Sequence, residues 1–228
     1  MSKPHYSAEL GYWDERGKEA YVSLSPSDQV WISKWIAKRS SERDCLDLGG
    51  GSGMTAALLA VDADAFVTCL DISLEMVRHS PVASAQGDAL CMPFGDRSFD
   101  LIVAAAFFHH LPGREVDVLR ECARVLRPGG RIVGYDPSAQ CLQNRIFMGS
   151  GRFRLKFFSP DERPIDIDAF NRALRACGFK PSPVTLFSFR NARLTPFELV
   201  QRMLNPISVG PLRRLLQRWF FWSATLAP

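Results

Sequence analysis

Nine consecutive residues constrain this chain more than any others: Cys45-Leu46-Asp47-Leu48-Gly49-Gly50-Gly51-Ser52-Gly53. The apolar run Asp44–Leu48 is short and bounded by glycine, which reads as a buried strand. The Ala- and Leu-rich segment Met54–Val61 reads as a helix. Between them, glycines at alternate positions allow a tight turn and let a ligand approach the backbone. The N-terminus of the helix then faces that ligand with free N–H groups. A strand, a glycine turn and a helix in this order open a βαβ unit.

The alternation continues. Ala65–Leu70 is a second strand, ending at Asp71, and Ser73 caps a helix through His79. Val82–Gln86 is a third strand, followed by Gly87-Asp88. Phe99–Ala106 is a fourth, running into Phe107-Phe108-His109-His110. Gly113–Leu126 is an amphipathic helix, broken by Pro128-Gly129-Gly130, and Arg131–Tyr135 is a fifth strand. Ahead of all this, a helix is expected around Asp28–Arg39, with Val30, Trp31, Lys34, Trp35 and Lys38 at helical spacing. Strands alternating with helices imply right-handed crossovers and a doubly wound α/β sheet, Rossmann-like and mostly parallel. Ligands of such sheets bind beyond the carboxyl ends of the strands, at the switch point. Gly49–Gly53, Asp71, Asp88 and His109-His110 all fall at strand ends and therefore converge on one site.

Two cofactor classes use a glycine loop in this setting. A dinucleotide fold wants G-x-G-x-x-G, which from Gly49 requires glycine where this chain has Met54. S-adenosylmethionine (SAM) enzymes want an acid and three glycines at alternate positions, as in Asp47-x-Gly49-x-Gly51-x-Gly53. With CLDIS, QGDALCMPF, SFDLIVAAAFFHHL and RECARVLRPGGRIV following in order, residues 44–136 resemble the core of a class I SAM-dependent methyltransferase. The resemblance is to the small-molecule branch that includes the ubiquinone/menaquinone biosynthesis methyltransferases.

That resemblance implies SAM as cofactor and a role for each matching residue. Gly49, Gly51 and Gly53 admit its methionine and ribose portions. Asp71 accepts from both ribose hydroxyls, with Ile72 against the adenine. Asp88 accepts from the adenine amino group, with Ala89 supplying backbone contact; a turn aspartate after Gly87 is the plainer reading. Asp47 orients the loop or takes the cofactor amino group through water. Ala105 lies beside the methionine part, and Tyr12 covers the cofactor from the N-terminal segment. His109 and His110 are the candidate catalytic residues, since an imidazole titrates near neutrality; their plainer reading is loop packing.

The remaining chain is basic. Residues 1–112 carry 9 Lys+Arg against 15 Asp+Glu, and residues 113–228 carry 19 against 9. Residues 1–190 are expected to form the SAM-binding domain, with core 44–136 and a substrate-covering segment 138–165. Asp166–Cys177 is a helix stopped by Gly178. Phe179–Phe189 contains a strand interrupted by Pro181 and Pro183. Residues 191–228 read as an amphipathic helical C-terminal tail. It begins with the capping box Thr195-Pro196-Phe197-Glu198. A later helix places Leu212, Leu215, Leu216, Trp219 and Phe220 on one face and Arg213, Arg214, Gln217 and Arg218 on the other. Stretch 211–222 is thus a candidate for contact with an anionic membrane surface, against the plainer alternative of packing on its own domain.

The expected partner is a small-molecule methyl acceptor. Nucleic acid is disfavoured, because Ala105-Ala106-Phe107-Phe108 stands where DNA amino-methyltransferases have an Asp/Asn-Pro-Pro-aromatic tetrapeptide. No signal peptide and no stretch of 18 apolar residues is read. The six cysteines show no CxxC pairing and no metal spacing, so a reducing cytoplasmic setting and no metal are expected. Two alternatives stand beside SAM-dependent transfer to O, C or N: a non-catalytic SAM-binding regulator, and a peripheral-membrane methyltransferase acting on a lipid-like acceptor.

Overall fold

A computed structural model describes residues 7–17, 30–32, 34, 36, 43–62, 64–148, 155, 158–159, 161–188 and 211–228. In chain order its elements begin with α1 (Ser7–Gly17), β1 (Asp44–Leu48), α2 (Met54–Asp62), β2 (Phe66–Asp71), α3 (Leu74–Val77) and β3 (Ala83–Gln86). They continue with β4 (Phe99–Ala105), a 3₁₀ turn (Phe108–His110), α4 (Glu115–Val125), β5 (Leu126–Pro137) and α5 (Leu142–Phe147). Then come α6 (Ile167–Ala176), β6 (Phe179–Pro181), β7 (Thr185–Phe187), α7 (Pro211–Leu216) and β8 (Trp219–Leu226).

The described strands form one sheet in the order β3-β2-β1-β4-β5-β8-β6, with β7 also on β8. The pairs among β1 to β5 are parallel. β8 runs antiparallel to β5, β6 and β7. The chain leaves β1 for β2 on one side and returns to β4 on the other, so the switch point lies between β1 and β4. Successive residues of a strand point to opposite faces, and the buried apolar residues accordingly fall into two clusters. Leu46, Leu48, Ile102, Phe220 and Trp222 pack with α4 and α6, whereas Cys45, Leu101, Val103 and Phe221 pack with Ala56 and Leu59 of α2.

The N-caps follow the sequence. The Ser73 hydroxyl accepts from the Met76 amide at 3.2 Å, and Asp166 accepts from the Ala169 amide at 2.7 Å. α3 is shorter than expected and stops before His79. Residues 30–32, 34 and 36 are helical, but the buried pair there is Ile32 and Ile36, while Val30, Trp31 and Lys34 are exposed. β5 starts earlier than expected: Leu126 already pairs with Phe99, and a register shift absorbs residues 127–130 before Arg131 pairs with Leu101. The left-handed Gly129 (φ 78°) sits in that irregularity.

The C-terminal region requires a correction. The expected amphipathic helix over 211–222 ends at Leu216, and Trp219–Leu226 is a strand inserted between β5 and the β6/β7 edge. Phe220, Phe221 and Trp222 are buried on both faces of the sheet. A four-residue apolar run fits a buried strand as well as a helix, and continuity with Leu212, Leu215 and Leu216 made the helical spacing look longer than it is. The aromatics on which membrane contact through 211–222 relied are therefore core residues. β6 and β7 are the two pieces of the proline-interrupted strand, laid end to end along β8 with the Ser182 amide donating to the Ser223 carbonyl at 2.8 Å. Among the described residues, no helix is long and apolar enough to cross a membrane. The capping box Thr195–Glu198 and residues 152–154, 156 and 157 of the basic stretch lie outside the described residues.

Candidate functional site

The glycine turn is built by its hydrogen bonds. Gly49 and Gly50 both donate to the Leu70 carbonyl, at 2.8 and 3.3 Å, and Gly51 donates to Oδ2 of Asp71 at 2.9 Å. Gly49, Gly51 and Gly53 have φ of 66°, 55° and 73°, the left-handed region that other residues adopt at a cost. They differ in surroundings. A Cβ on Gly49 would collide with the Phe107 ring, and one on Gly53 with the Ser80 side chain. A Cβ on Gly51 would meet only the Met76 sulfur at 3.9 Å, so the loop is open at Gly51. Gly50, which the alternate-glycine reading passed over, is equally obligatory. A Cβ there would stand 2.6 Å from Oδ2 of Asp47 and 2.7 Å from the Cys69 sulfur.

Asp47 is fully buried beneath this loop, and neither carboxylate oxygen has a hydrogen-bond partner. Burial raises its pKa to about 7, and the nearby charge of Asp71 adds to the effect. The Ala56 amide offsets part of this without reaching bonding geometry. A buried carboxylate without a donor is costly. Asp71 at the end of β2 accepts from the Ser73 amide on Oδ1 (2.9 Å) and from Gly51 on Oδ2. Each oxygen of an ionised carboxylate has two lone pairs, so each keeps one for a vicinal hydroxyl pair. Burial pushes the Asp71 pKa up, against the pull of those two amides. An orphaned acid, an open left-handed glycine and a half-satisfied strand-end acid together fit the expected SAM.

The other expected contacts are placed as follows. Ile72 is half-buried and follows Asp71 directly, with Gln86 Nε2 donating to its carbonyl at 3.1 Å. Asp88 Oδ1 accepts from the Leu90 amide at 2.8 Å, so the turn role is real, and Ala89 beside it is buried. Ala105 ends β4 half-buried. Tyr12 lies on α1, edge-on to Trp13 at 5.1 Å with the Arg16 guanidinium 4.4 Å from its ring centre. α1 is tied over the strand ends because Ser73 Oγ donates to Asp14 at 2.6 Å and Trp13 meets His110 edge-on at 5.2 Å.

The two histidines sit in a 3₁₀ turn after β4, with their rings 4.0 Å apart. They have different surroundings. His109 is buried, and its Nδ1 lies 2.9 Å from Oδ1 of Asp136, which also accepts from the His109 amide at 3.2 Å. Oδ2 of Asp136 accepts from the Trp222 indole at 3.0 Å. Two N–H donors, the His109 amide and the Trp222 indole, hold this carboxylate, and its contact with Nδ1 orients the His109 ring. Burial depresses the imidazole to about 3 and raises Asp136 to about 7. The direction we stand behind is that His109 stays neutral. His110 is half-buried, with Nδ1 3.4 Å from Glu162 and 3.5 Å from Glu9. Glu9 is itself buried, accepting from Trp13 Nε1 at 3.0 Å and from the Ser159 hydroxyl.

Asp136, Trp222, Glu9 and Glu162 were not expected from sequence. Asp136 had the one available signal, an acid at a strand's carboxyl end like Asp71. Trp222, Glu9 and Glu162 reach the site only through tertiary contacts.

Comparison with known proteins agrees with this geometry. A family described as a methyltransferase domain matches residues 46–134. The 27-O-demethylrifamycin SV methyltransferase of Amycolatopsis mediterranei is 34% identical over 136 residues, covering 54% of this chain and 48% of that protein. The O-methyltransferase cnsE of Penicillium expansum is 29% identical over 190 residues, covering 77% and 66%. The ubiquinone/menaquinone biosynthesis C-methyltransferase UbiE of Dinoroseobacter shibae is 35% identical over 122 residues, covering 46% and 47%. The chain spans about half the length of most curated relatives it matches. Among solved structures, a chain of the complex between the Haloferax volcanii Trm112 methyltransferase activator and its methyltransferase superposes with a TM-score of 0.70 at 19% identity, covering 96% of this chain and 98% of that one. A SAM-dependent methyltransferase from Archaeoglobus fulgidus gives 0.63 at 18%, covering 86% and 94%. At these identities the structures share the fold.

Proposed function

We propose that the chain, whose residues 46–134 match a methyltransferase domain, is a SAM-dependent methyltransferase that transfers the SAM methyl group to a small organic acceptor. The observation that carries this reading is the pairing of two half-sites across the switch point. The partnerless Asp47 beneath the glycine loop lies on one side, and the His109–Asp136 pair on the other.

The residues divide the work. Asp47, beneath the loop, takes the cofactor amino group through water, Asp71 takes the ribose hydroxyls, and the open backbone at Gly51 admits the chain between them. Bound SAM supplies a methyl on a sulfonium that is already electrophilic. What the protein must add is position, dryness and, for a hydroxyl acceptor, a destination for a proton. Dryness comes from α1 above, through Trp13 against His110, and from Phe108 of the 3₁₀ turn packed on Trp222 of β8. The two histidines provide the nitrogens beside the acceptor. Asp136 sets the orientation of His109, as a carboxylate behind an imidazole does in hydrolytic triads.

Two relatives named as O-methyltransferase and C-methyltransferase leave the receiving atom open between oxygen and carbon. The test is formation of demethylated cofactor on incubation with a panel of phenols, polyketide-like alcohols and quinols. Turnover with at least one class is expected. SAM binding with no turnover across the panel would move the chain to the non-catalytic reading, and absence of SAM binding would overturn both.

A further inference from the structure

We propose that His109, His110 and Glu162 form a binding site for a divalent transition-metal ion, a zinc-like cation, beside the acceptor. One ligating nitrogen of each histidine and one oxygen of Glu162 lie within 4.8 Å of one another. The local spacing suits a real centre. Ligands about 2.1 Å from a tetrahedral metal stand about 3.4 Å from each other, and His110 Nδ1 is 3.4 Å from Glu162 Oε1. Glu9 Oε2 approaches the same nitrogen at 3.5 Å. His110 Nδ1 is itself buried and makes a hydrogen bond with neither carboxylate.

The surroundings are those of a supported site. Nδ1 of His109 lies against Asp136, the carboxylate–histidine arrangement found behind metal-bound imidazoles, and Nε2 is the ring's other ligating atom. Glu162 is buried and accepts from the Ser159 amide at 3.2 Å, which limits its rotation. Glu9 adds a second buried carboxylate beside His110. Two buried carboxylates thus stand within 3.5 Å of one histidine nitrogen. Two imidazoles with a carboxylate select borderline divalent metals over magnesium or calcium. Three protein ligands also leave a coordination position open; an acceptor hydroxyl taking it would be acidified by the ion, so with metal bound the histidines would serve as ligands rather than as bases. The last point rests on the proposed methyl transfer; metal binding does not.

The experiment uses the full chain, freed of metal by chelation, without SAM or acceptor. Titration with Co²⁺ should show one ligand-field-active ion per chain, displaced by Zn²⁺. X-ray absorption of the zinc-loaded wild type should count two imidazoles. Glu162→Gln should weaken Zn²⁺ by roughly 10–100-fold or more, the range even an outer-shell loss produces. His79→Gln, at an exposed histidine outside the cluster, should change nothing. SAM binding and the thermal melt of Glu162→Gln report whether it folds. No stoichiometric ion, or an imidazole count other than two on the wild type, overturns the site whatever the variants do. Metal binding without turnover on the acceptor panel would leave the site standing and count against methyl transfer alone.

Discussion

The Nδ1 atom of His109 lies 2.9 Å from Oδ1 of Asp136, whose other oxygen accepts from the indole of Trp222. One carboxylate at the end of β5 thus orders a ring from the β4 turn and a ring from β8. It acts through His109 and is a positioning residue. Asp136→Asn replaces an acceptor by an amide N–H facing either the indole or the imidazole, and one donor is left buried and unmatched, at a cost of about 1–3 kcal/mol. The melting temperature should fall, and kcat should fall ~100-fold or more, the lower end of a general acid–base contribution. SAM affinity should stay close to wild type, because Asp47 and Asp71 are untouched. A variant that loses stability and KM but keeps kcat would show a purely structural role.

Asp47 makes the cofactor-free protein pH-sensitive in a definite direction. Its folded pKa is about 7 against a reference of 3.8, so between these values the native state binds more protons than the unfolded state. Stability from this group is present at low pH and lost as pH rises through about 7. Asp47→Asn should therefore melt most like wild type below about pH 4 and above it near about pH 8. SAM affinity of the wild type should rise with pH over the same window, because an ammonium partner favours the ionised acid. The variant should bind more weakly and without that slope. A melting difference independent of pH would sink the assignment of the shift to Asp47.

Gly49 and Gly51 share a left-handed φ but not a neighbourhood, so their alanine variants should fail differently. Gly49→Ala pays the backbone penalty of about 1–2 kcal/mol and also displaces the Phe107 ring. It should be the less stable protein. Gly51→Ala carries the backbone penalty alone, since its Cβ has open space, and should fold. It should nevertheless bind SAM ~10-fold or more weakly, if that space is where the cofactor passes. Calorimetry and thermal melts on the pair decide. Equal affinity in Gly51→Ala and wild type would remove the loop from the binding surface.

β8 carries a separate prediction. A chain ending at Gln217 lacks the strand that β5, β6 and β7 all pair with, and should show no cooperative melt. Trp222→Phe is the finer probe. It keeps most of the buried ring but removes the donor to Asp136, which should cost about 1–3 kcal/mol and lower kcat in parallel with Asp136→Asn. A truncated chain that melts like the full one would contradict the placement of β8.

What sequence reveals here is what the chain encodes locally. The glycine turn, the acid that ends β2, the Ser73 cap and the order of β1 to β5 are each written within a few consecutive residues. The His109–Asp136–Trp222 connection and the approach of Glu9 to Glu162 depend on which distant strands and helices become neighbours, and no short-range pattern announces that. β8 shows the mechanism of the miss. A strand buried on both faces loses the polar alternation that identifies strands, and here it adjoins a real helical turn at Pro211–Leu216. The charge asymmetry is partly internal as well. Arg124 pairs with Asp96 at 2.9 Å, and Arg127 with Asp44 at 2.8 Å and Asp100 at 2.6 Å, so some basic residues of the second half neutralise acids of the first.

The insertion of β8 also orders events in time. Asp136 and the indole it binds are 86 residues apart in sequence. While the chain is being synthesised, β1 to β5 and the glycine turn can assemble, but β5 remains an open edge until Trp219–Leu226 has left the ribosome. A nascent chain can thus form the cofactor loop before it has a complete histidine site. During that interval the exposed edge of β5 is the surface most in need of shielding from other chains.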